Sequence, residues 1–228
     1  MQNTDSLRDE IRLQHEKLSN QPFSKKLNYF WDYYKMHCII VVLSACMFGS
    51  ILHGILTRKE TILSIAYINA FPNQEDEVLI QDFENWLGLD SGKQQVLLDS
   101  SYYINDDSSS PYSNTYEQKF STNAMAGKLD VVLADDVKFD FYGNQGFFQD
   151  LTPFFSKEEL KIYEDRFYYV NLPNDENDAV VPVGIRIDCA DRISSTCSYP
   201  NTDAYFGIIT GTDHIDTALS YLNDLDNN

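Results

Sequence analysis

The sequence predicts an α/β domain with a mainly parallel sheet and helices on both of its faces, preceded by one transmembrane helix. Two observations lead to this fold class. An apolar run from Met36 to Leu56 contains no formally charged residue over 21 positions. After it, short β-branched and apolar segments alternate with segments of helical periodicity, the pattern of parallel strands joined by crossover helices. We therefore expect three parts: a segment at residues 1–35, a transmembrane helix at 36–57 and a folded domain at 58–228.

The negative charge of the chain is concentrated in this domain. The formal net charge is −18, but residues 1–59 contain eight Lys and Arg against five Asp and Glu, whereas residues 60–228 contain nine against thirty. Such a strongly acidic domain repels phosphate groups, which excludes nucleic acid as a partner. Its apolar and aromatic content is too high for a disordered acidic tail, so we expect it to fold around its own core.

The apolar run has the length of a membrane-spanning helix. At 1.5 Å per residue it covers a hydrocarbon core of about 30 Å. Lys25, Lys26 and Lys35 precede it and Arg58 and Lys59 follow it, so the N-terminal flank is the more basic. By the positive-inside rule we expect a single-pass protein of the cell membrane, with its N-terminus in the cytoplasm and its C-terminal domain extracytoplasmic.

A lipoprotein signal is the alternative for the same run, since LSAC at residues 43–46 has the form of a lipoprotein cleavage box. Such a signal begins near the N-terminus, and the chain becomes polar after the lipidated cysteine. Here 35 residues precede the run, which continues as MFGSIL at residues 47–52. These features favour an uncleaved span, with a lipidated Cys46 as the alternative.

The segment before the span combines a polar helix with an aromatic flank. Residues 5–19 have Leu7, Ile11 and Leu18 at helical spacing. Residues 23–37 mix aromatic residues and lysines, which indicates a segment lying along the inner membrane surface. A docking peptide for a cytoplasmic or membrane partner is the alternative interpretation of this flank.

The first part of the domain alternates strands and helices. Its opening segment, TILSIAYIN, is β-branched and apolar, and the next segment places Val78, Leu79, Phe83 and Trp86 on one helical face. LDVVLA, which follows Gly127, has the character of a buried strand. The predicted elements are a strand at 61–69, a helix at 75–87, a strand at 95–98, a polar loop at 104–115, a helix at 116–125 and a strand at 129–134.

The second part of the domain adds a hairpin, one more strand and a final helix. Ser156 is placed to cap a short helix that carries Glu158 and Glu159 in its first turn. The polar turn NLPNDEND separates two extended segments and predicts an antiparallel hairpin. The predicted elements are a short helix at 139–142, hairpin strands at 168–171 and 180–188, a strand at 205–210 and a helix at 213–225.

Two stretches carry a resemblance to a known family. TNAMAGKLDVVLADDVKFDFYGNQGFFQDLTPFF at residues 122–155 and FGIITGTDHIDTALSYLNDL at residues 206–225 resemble type 2 extracellular solute-binding proteins of ABC transporters. The flank YFWDYYKMH, followed by one span, is similar to that of membrane-tethered Firmicutes proteins that carry such domains. The resemblance covers residues 60–228 and implies a solute-binding α/β domain associated with a transporter.

The sequence departs from this family in length. The resemblance implies two lobes that close over a ligand, but only some 18 residues separate the hinge-like strand at 181–185 from Tyr205. We therefore expect a domain reduced to about one lobe, with at most a remnant of the second around Cys189 and Cys197. A single lobe cannot trap a small ligand by closure.

Candidate ligand-binding residues follow the predicted strands. In open α/β sheets, ligands bind at the carboxyl ends of the parallel strands. Carboxylates, hydroxyls and aromatic rings at that edge would suit a sugar, a peptide or a cation, and an arginine in the hairpin would neutralise an anion. The candidates are Asn69, Phe71, Ser101, Tyr102, Tyr103, Asp135, Asp136 and Arg186.

Each candidate also has a structural interpretation. Asp136 is positioned to cap the following helix, the tyrosines to fill the surface, and Arg186 to form a surface ion pair. Asp130 and Asp140 are expected to face solvent. Cys189 and Cys197 are eight residues apart, and either a disulfide or two free thiols is compatible with this spacing.

Catalytic and metal-binding motifs are not found in the sequence. It contains no GxSxG, HExxH or glycine-rich phosphate loop, and His214 at the start of the last helix is a poor catalytic candidate. Asp175, Glu176 and Asp178 do not have the spacing of a calcium loop. We therefore expect no enzyme activity, no metal and no cofactor.

The sequence thus predicts a membrane-anchored, extracytoplasmic, non-catalytic binding protein. Its expected partners are the membrane and either a small solute or a neighbouring membrane or envelope protein. The alternative is a structural or interaction subunit of a membrane or cell-envelope complex that has lost small-ligand binding.

Overall fold

The computed structural model describes residues 9, 12–13, 23–71, 75–104, 111–171, 180–187, 191–196 and 198–226. The chain divides into two units, Met1–Arg58 and Lys59–Asn228. Each unit has its own structure and is described by itself.

The first unit contains a long helix, α1, at Phe23–Leu56. Its part from Tyr34 to Leu56 is long and apolar enough to cross a membrane, and its large apolar side chains are exposed. The expected apolar helix is therefore present and is compatible with a single membrane crossing. The aromatic flank at residues 23–37 belongs to the same continuous helix, and so does Cys46. Most of the helix expected at residues 5–19 lies outside the described residues.

The second unit contains every strand and helix expected from the sequence, with shifted bounds. Its second helix begins five residues earlier than expected, at Pro111, and its second strand extends through the polar residues Asp99, Ser100 and Ser101. The short helix Asp191–Thr196 was not expected. The elements are β1 Glu60–Ile68, α2 Glu75–Leu87, β2 Gln94–Tyr102, α3 Pro111–Met125, β3 Val131–Asp135, α4 Asp136–Asn144, α5 Lys157–Ile162, β4 Phe167–Asn171, β5 Val180–Arg186, α6 Asp191–Thr196, β6 Ala204–Ile208 and α7 Ile215–Asp226.

The six strands form one mixed sheet in the order β2-β1-β3-β6-β5-β4. β1 pairs in parallel with β2 and β3, whereas β6 pairs antiparallel with both β3 and β5, and β4 antiparallel with β5. Four strands therefore run in one direction and β4 and β6 in the other. The α/β class is confirmed. β4 and β5 are antiparallel because the connection between them is too short for the crossover that parallel neighbours need.

Helices cover both faces of the sheet, as expected. On one face, Ile65 and Tyr67 of β1 pack with residues of α2, α6 and α7. We call this the tyrosine face because Tyr67, Tyr199 and Tyr221 lie buried in it. On the other, Ala66 and Ile68 of β1 pack with residues of α3 and α4. We call this the phenylalanine face, after the buried Phe120, Phe139 and Phe148.

The phenylalanine face depends on two glycines. Gly184 of β5 and Gly207 of β6 are cross-strand partners, and the ring of Phe139 lies against both. A Cβ atom on Gly184 would collide with this ring, and one on Gly207 would lie 2.9 Å from its Cε2 atom. Glycine at these positions therefore makes room for the aromatic side chain.

Candidate functional site

The candidate residues after β1 and β3 lie in direct contact. Asn69 follows β1 and Asp135 is the last residue of β3, the neighbouring parallel strand. The Nδ2 atom of Asn69 donates a hydrogen bond to Oδ2 of Asp135 at 2.6 Å. The structure thus brings together two side chains that the sequence predicted at one edge of the sheet.

Asn69 also forms hydrogen bonds with the segment after β2. Its Nδ2 atom also donates to the backbone carbonyl of Ile104 at 2.9 Å, and its Oδ1 atom accepts from the Ile104 amide at 2.8 Å. Asn69 has a positive φ of 58°, a conformation that asparagine tolerates better than most residues. Both amide hydrogens and the carbonyl of Asn69 are therefore used within the fold.

Asp135 also uses both of its carboxylate oxygens within the fold. It is the N-cap of α4, and its Oδ1 atom accepts from the Lys138 amide at 2.8 Å. Asp136, which the sequence placed as the cap, is instead the first helical residue, and its exposed carboxylate accepts from the Val137 amide at 2.9 Å. The polar groups expected to hold a solute thus stabilise the edge of the sheet.

The aromatic candidates divide into one buried and two exposed side chains. Tyr102 is only 1% exposed, its ring packs edge-on against Phe120, and its hydroxyl accepts from Asn123 at 3.2 Å. Burial raises the pKa of Tyr102 above its ordinary value. Phe71 and Tyr103, in contrast, are 64% and 63% exposed. The aromatic surface at this edge is therefore formed by Phe71 and Tyr103.

Ser101 belongs to a polar cluster between β2 and α3. Its hydroxyl donates to Asp99, and Lys119 donates to Asp99 at 2.6 Å and to Ser101 at 3.0 Å. The ammonium group also lies 4.6 Å from the centre of the Tyr102 ring.

The electrostatics of this cluster are those of an ion pair. Partial burial is the largest single effect and opposes the charge of both partners, but hydrogen bonds and charge attraction together outweigh it, so the pKa of Asp99 is lowered and that of Lys119 is raised. A lysine held protonated in this way cannot act as the base that would activate Ser101.

Arg186 lies at the same edge of the sheet but two strands from Asp135, with β6 between them. Its backbone carbonyl accepts from the Nε and Nη2 atoms of Arg166 at 2.9 and 2.7 Å. Arg166 also pairs with Asp226 at 2.8 Å. The end of β5 is thus tied to the end of α7.

One prediction about a charged residue is wrong. Asp130 was expected to face solvent, but it is only 6% exposed. Its Oδ2 atom accepts from the Ser64 amide at 2.7 Å, and its Oδ1 atom accepts from the Thr212 hydroxyl at 2.5 Å and lies 3.1 Å from Nδ1 of His214. The carboxylate is buried because it joins β1, β3 and the turn before α7. An aspartate in front of a buried strand gives no sequence signal of such a role.

A carboxylate beside a histidine is also part of a catalytic triad, but the arrangement here differs from one. In a triad the hydroxyl donates to the imidazole, whereas Thr212 donates to Asp130 itself. The Thr212 hydroxyl also accepts from the His214 amide at 3.0 Å. These contacts fix the turn between β6 and α7.

The remaining candidates lie outside the described residues, namely Cys189, Cys197 and the acidic residues Asp175, Glu176 and Asp178. Cys38 and Cys46 are free thiols in α1. Within the part of the chain that the structure describes, no group of three or more His, Cys, Asp or Glu side chains is placed to hold a metal ion.

The carboxyl edge of β1–β3 thus combines satisfied polar groups with exposed aromatic rings. Asn69 and Asp135 bond to each other and to the backbone, while Phe71 and Tyr103 are exposed beside them. No family model, no curated protein and no solved structure matches the chain. Apart from the exposed carboxylate of Asp136, this edge offers apolar and aromatic contact.

Proposed function

We propose that this chain is a membrane-anchored, non-catalytic binding protein whose extracytoplasmic domain binds another protein. One observation carries the proposal: Asn69 and Asp135, the polar groups predicted to hold a solute, are used by the fold, while Phe71 and Tyr103 beside them are exposed. Exposed aromatic side chains are enriched among the residues that contribute most to protein interfaces.

The proposed anchor is α1, with the N-terminus in the cytoplasm. Its apolar part, Tyr34–Leu56, has the length of a membrane span, and the more basic flank precedes it. The proposal keeps the binding role implied by the resemblance to type 2 solute-binding proteins. It differs in the ligand, which is a protein instead of a small solute. The described residues of the domain form one sheet with both faces covered by helices, which supports binding at an edge rather than in a closing cleft.

A small solute is the second candidate ligand. The exposed rings of Phe71 and Tyr103 would offer a sugar a stacking surface even though Asn69 and Asp135 are already bonded. The two candidates differ in size, since a solute would contact only this pair of rings and a protein would cover the surface around them.

Two measurements on the full chain distinguish these candidates. In cells, a photo-crosslinking amino acid at Phe71 or Tyr103 should give a discrete larger species, whereas the same group at Tyr169 on β4, which is also exposed, should not. In detergent micelles, sugars, amino acids and divalent cations should leave the unfolding temperature unchanged.

A solute that binds would give a clear signal in the second measurement. At 100 times its Kd it stabilises the folded state by about 2.7 kcal/mol. Such a shift, lost in Phe71→Ala and Tyr103→Ala, would establish solute binding instead. Absence of crosslinks at both positions would contradict a protein ligand at this edge.

A further inference from the structure

We propose that the free edge of β2 binds an extended, basic segment of a partner protein as an added strand. Among the described strands, β2 is the first in the sheet order and pairs with β1 alone. A groove of about 560 Å³ runs between this edge and α2. The helix lines it with Ile80, Gln81 and Glu84, and the strand lines it with Val96, Leu97 and Leu98.

The backbone of β2 points into this groove. The Lys93 carbonyl accepts from Glu60 of β1 at 2.7 Å, so residues 95 and 97 direct their backbone groups towards β1 and residues 96 and 98 away from it. The Val96 amide accordingly donates to the Glu84 carboxylate at 2.6 Å. The Leu98 amide points the same way.

An edge of this kind is a template for strand addition. Glu84 engages the amide of Val96, and its side chain would have to move aside for a full ladder. Ile80 and Val96 are buried in the floor of the groove, where alternate side chains of an added strand would pack. The main-chain bonds would give affinity, and this apolar floor would favour a segment with apolar residues at every second position.

The charge of the groove selects the occupant. Among the described residues that line it, Asp76, Glu77 and Glu84 are acidic and Lys59 is basic, and residues 60–228 carry thirty acidic against nine basic side chains. A second copy of this domain would bring the same negative charge to the contact. A basic segment is complementary, so we commit to an extended segment with lysine or arginine between its apolar residues.

This inference rests on the proposed function, since it specifies the kind of protein that is bound, but it uses a surface separate from Phe71 and Tyr103. The two are therefore tested independently. Loss of peptide binding with crosslinks retained at Phe71 would refute the β2 site alone, and the reverse result would refute the Phe71 and Tyr103 surface alone.

The test uses the full chain in detergent micelles and a labelled peptide of alternating Val and Lys, nine residues long like β2. Fluorescence anisotropy should show saturable binding. A peptide of the same charge, N-methylated at every second residue, should bind about tenfold more weakly or worse because it cannot form the ladder. Replacing its lysines by glutamates should abolish binding.

Charge reversal in the groove supplies the matched protein variants. Glu77→Lys lies on an exposed position of α2 and should weaken peptide binding about tenfold. Glu158→Lys, on an exposed position of α5, makes the same charge change away from the groove and should leave the Kd unchanged.

Three results would overturn the proposal. One is no binding of the Val and Lys peptide up to about 1 mM at low salt. Another is equal affinity for the N-methylated peptide, which would show attraction by charge alone. A third is equal weakening by Glu77→Lys and Glu158→Lys, which would place the contact outside the groove.

Discussion

The two faces of the sheet are filled by aromatic side chains in different ways. On the tyrosine face, the hydroxyls of Tyr67 and Tyr221 bond to each other at 2.7 Å, and Tyr199 donates to the Leu133 carbonyl at 2.8 Å. On the phenylalanine face, Phe139 stacks on Phe148 with ring centres 4.3 Å apart and lies against two glycines.

This difference means that the two faces are sensitive to opposite changes. A buried hydroxyl is tolerated only while its partner remains, so the tyrosine face is sensitive to the loss of an atom. The phenylalanine face requires residues without a side chain beneath Phe139. It is therefore sensitive to the addition of an atom.

Alkaline pH should have the largest effect, and it acts on both faces, since burial also raises the pKa values of Tyr102 and Tyr142 on the phenylalanine face. Burial raises the pKa of Tyr67, Tyr199 and Tyr221 well above their ordinary values. Stability from these groups is complete below about pH 10 and is lost as the pH rises towards their folded-state pKa values. Each should cost about 2 kcal/mol of unfolding free energy at about pH 11.5.

Chemical denaturation of the full chain in micelles at about pH 9 and about pH 11.5 measures this loss. The part of the phenolate absorbance that comes from the buried tyrosines should appear together with unfolding rather than before it. The double variant Tyr67→Phe with Tyr221→Phe should lose less stability over this range than the wild type. Early ionisation of all tyrosines in the folded chain would contradict the burial argument.

Gly184→Ala should be the most damaging single substitution on the phenylalanine face. The added methyl group collides with the Phe139 ring, and overpacking of this kind costs about 1–3 kcal/mol. Denaturant midpoints give the loss. Gly92→Ala, in an exposed turn where the new Cβ meets only the Asp90 side chain, is the control and should cost less.

A double variant tests whether Phe139 is the cause. Gly184→Ala combined with Phe139→Leu should lose less stability than the sum of the two single losses, because the smaller side chain makes room for the methyl group. Strict additivity would show that the cost arises elsewhere in β5.

Removing one hydroxyl compares the faces directly. Tyr67→Phe leaves the buried Tyr221 hydroxyl without its partner and should cost about 1–2 kcal/mol. On the phenylalanine face, the Tyr142 hydroxyl is buried and has no hydrogen-bond partner among the described residues. Tyr142→Phe should therefore leave the unfolding free energy unchanged or raise it. Equal losses in both variants would refute the distinction between the faces.

The smallest effect should come from a surface helix outside both faces. Ser156 caps α5 in a reciprocal arrangement with Glu159, so Ser156→Ala should cost about 0.5–1 kcal/mol. Ser220→Ala in α7 removes a hydroxyl that donates to the Asp216 carbonyl four residues earlier in the same helix, and it should be neutral or slightly stabilising. Thermal unfolding of the two variants in parallel measures the difference.

Local patterns in the sequence were sufficient to predict most elements of the fold. The α2 bounds and the cap of α5 follow from apolar periodicity and from the Ser156 and Glu159 pair. The insertion of β6 between β3 and β5 was not predicted, because strand order depends on contacts between distant residues. Helix α6 was missed because Asp191–Thr196 is short and polar.

The sequence predicted where the candidate site lies better than it predicted what its side chains do. The rule that parallel strands end at a common edge placed Asn69 near Asp135. Whether such groups face a ligand or each other depends on the local backbone conformation after each strand. The positive φ of Asn69 is an example of such a conformation. The buried role of Asp130 depends on Ser64 and Thr212, which are 66 and 82 residues away in the chain.

The position of β6 determines when the sheet can be completed as the chain is synthesised. Among the described strands, β2, β1 and β3 form one ladder and β5 and β4 another, and only β6 pairs with both. A nascent chain that has emerged as far as β5 therefore carries two separate sheets with open edges at β3 and β5. Until residues 204–208 arrive, those edges lack the strand that pairs with them, and unpaired strand edges are sites of aggregation.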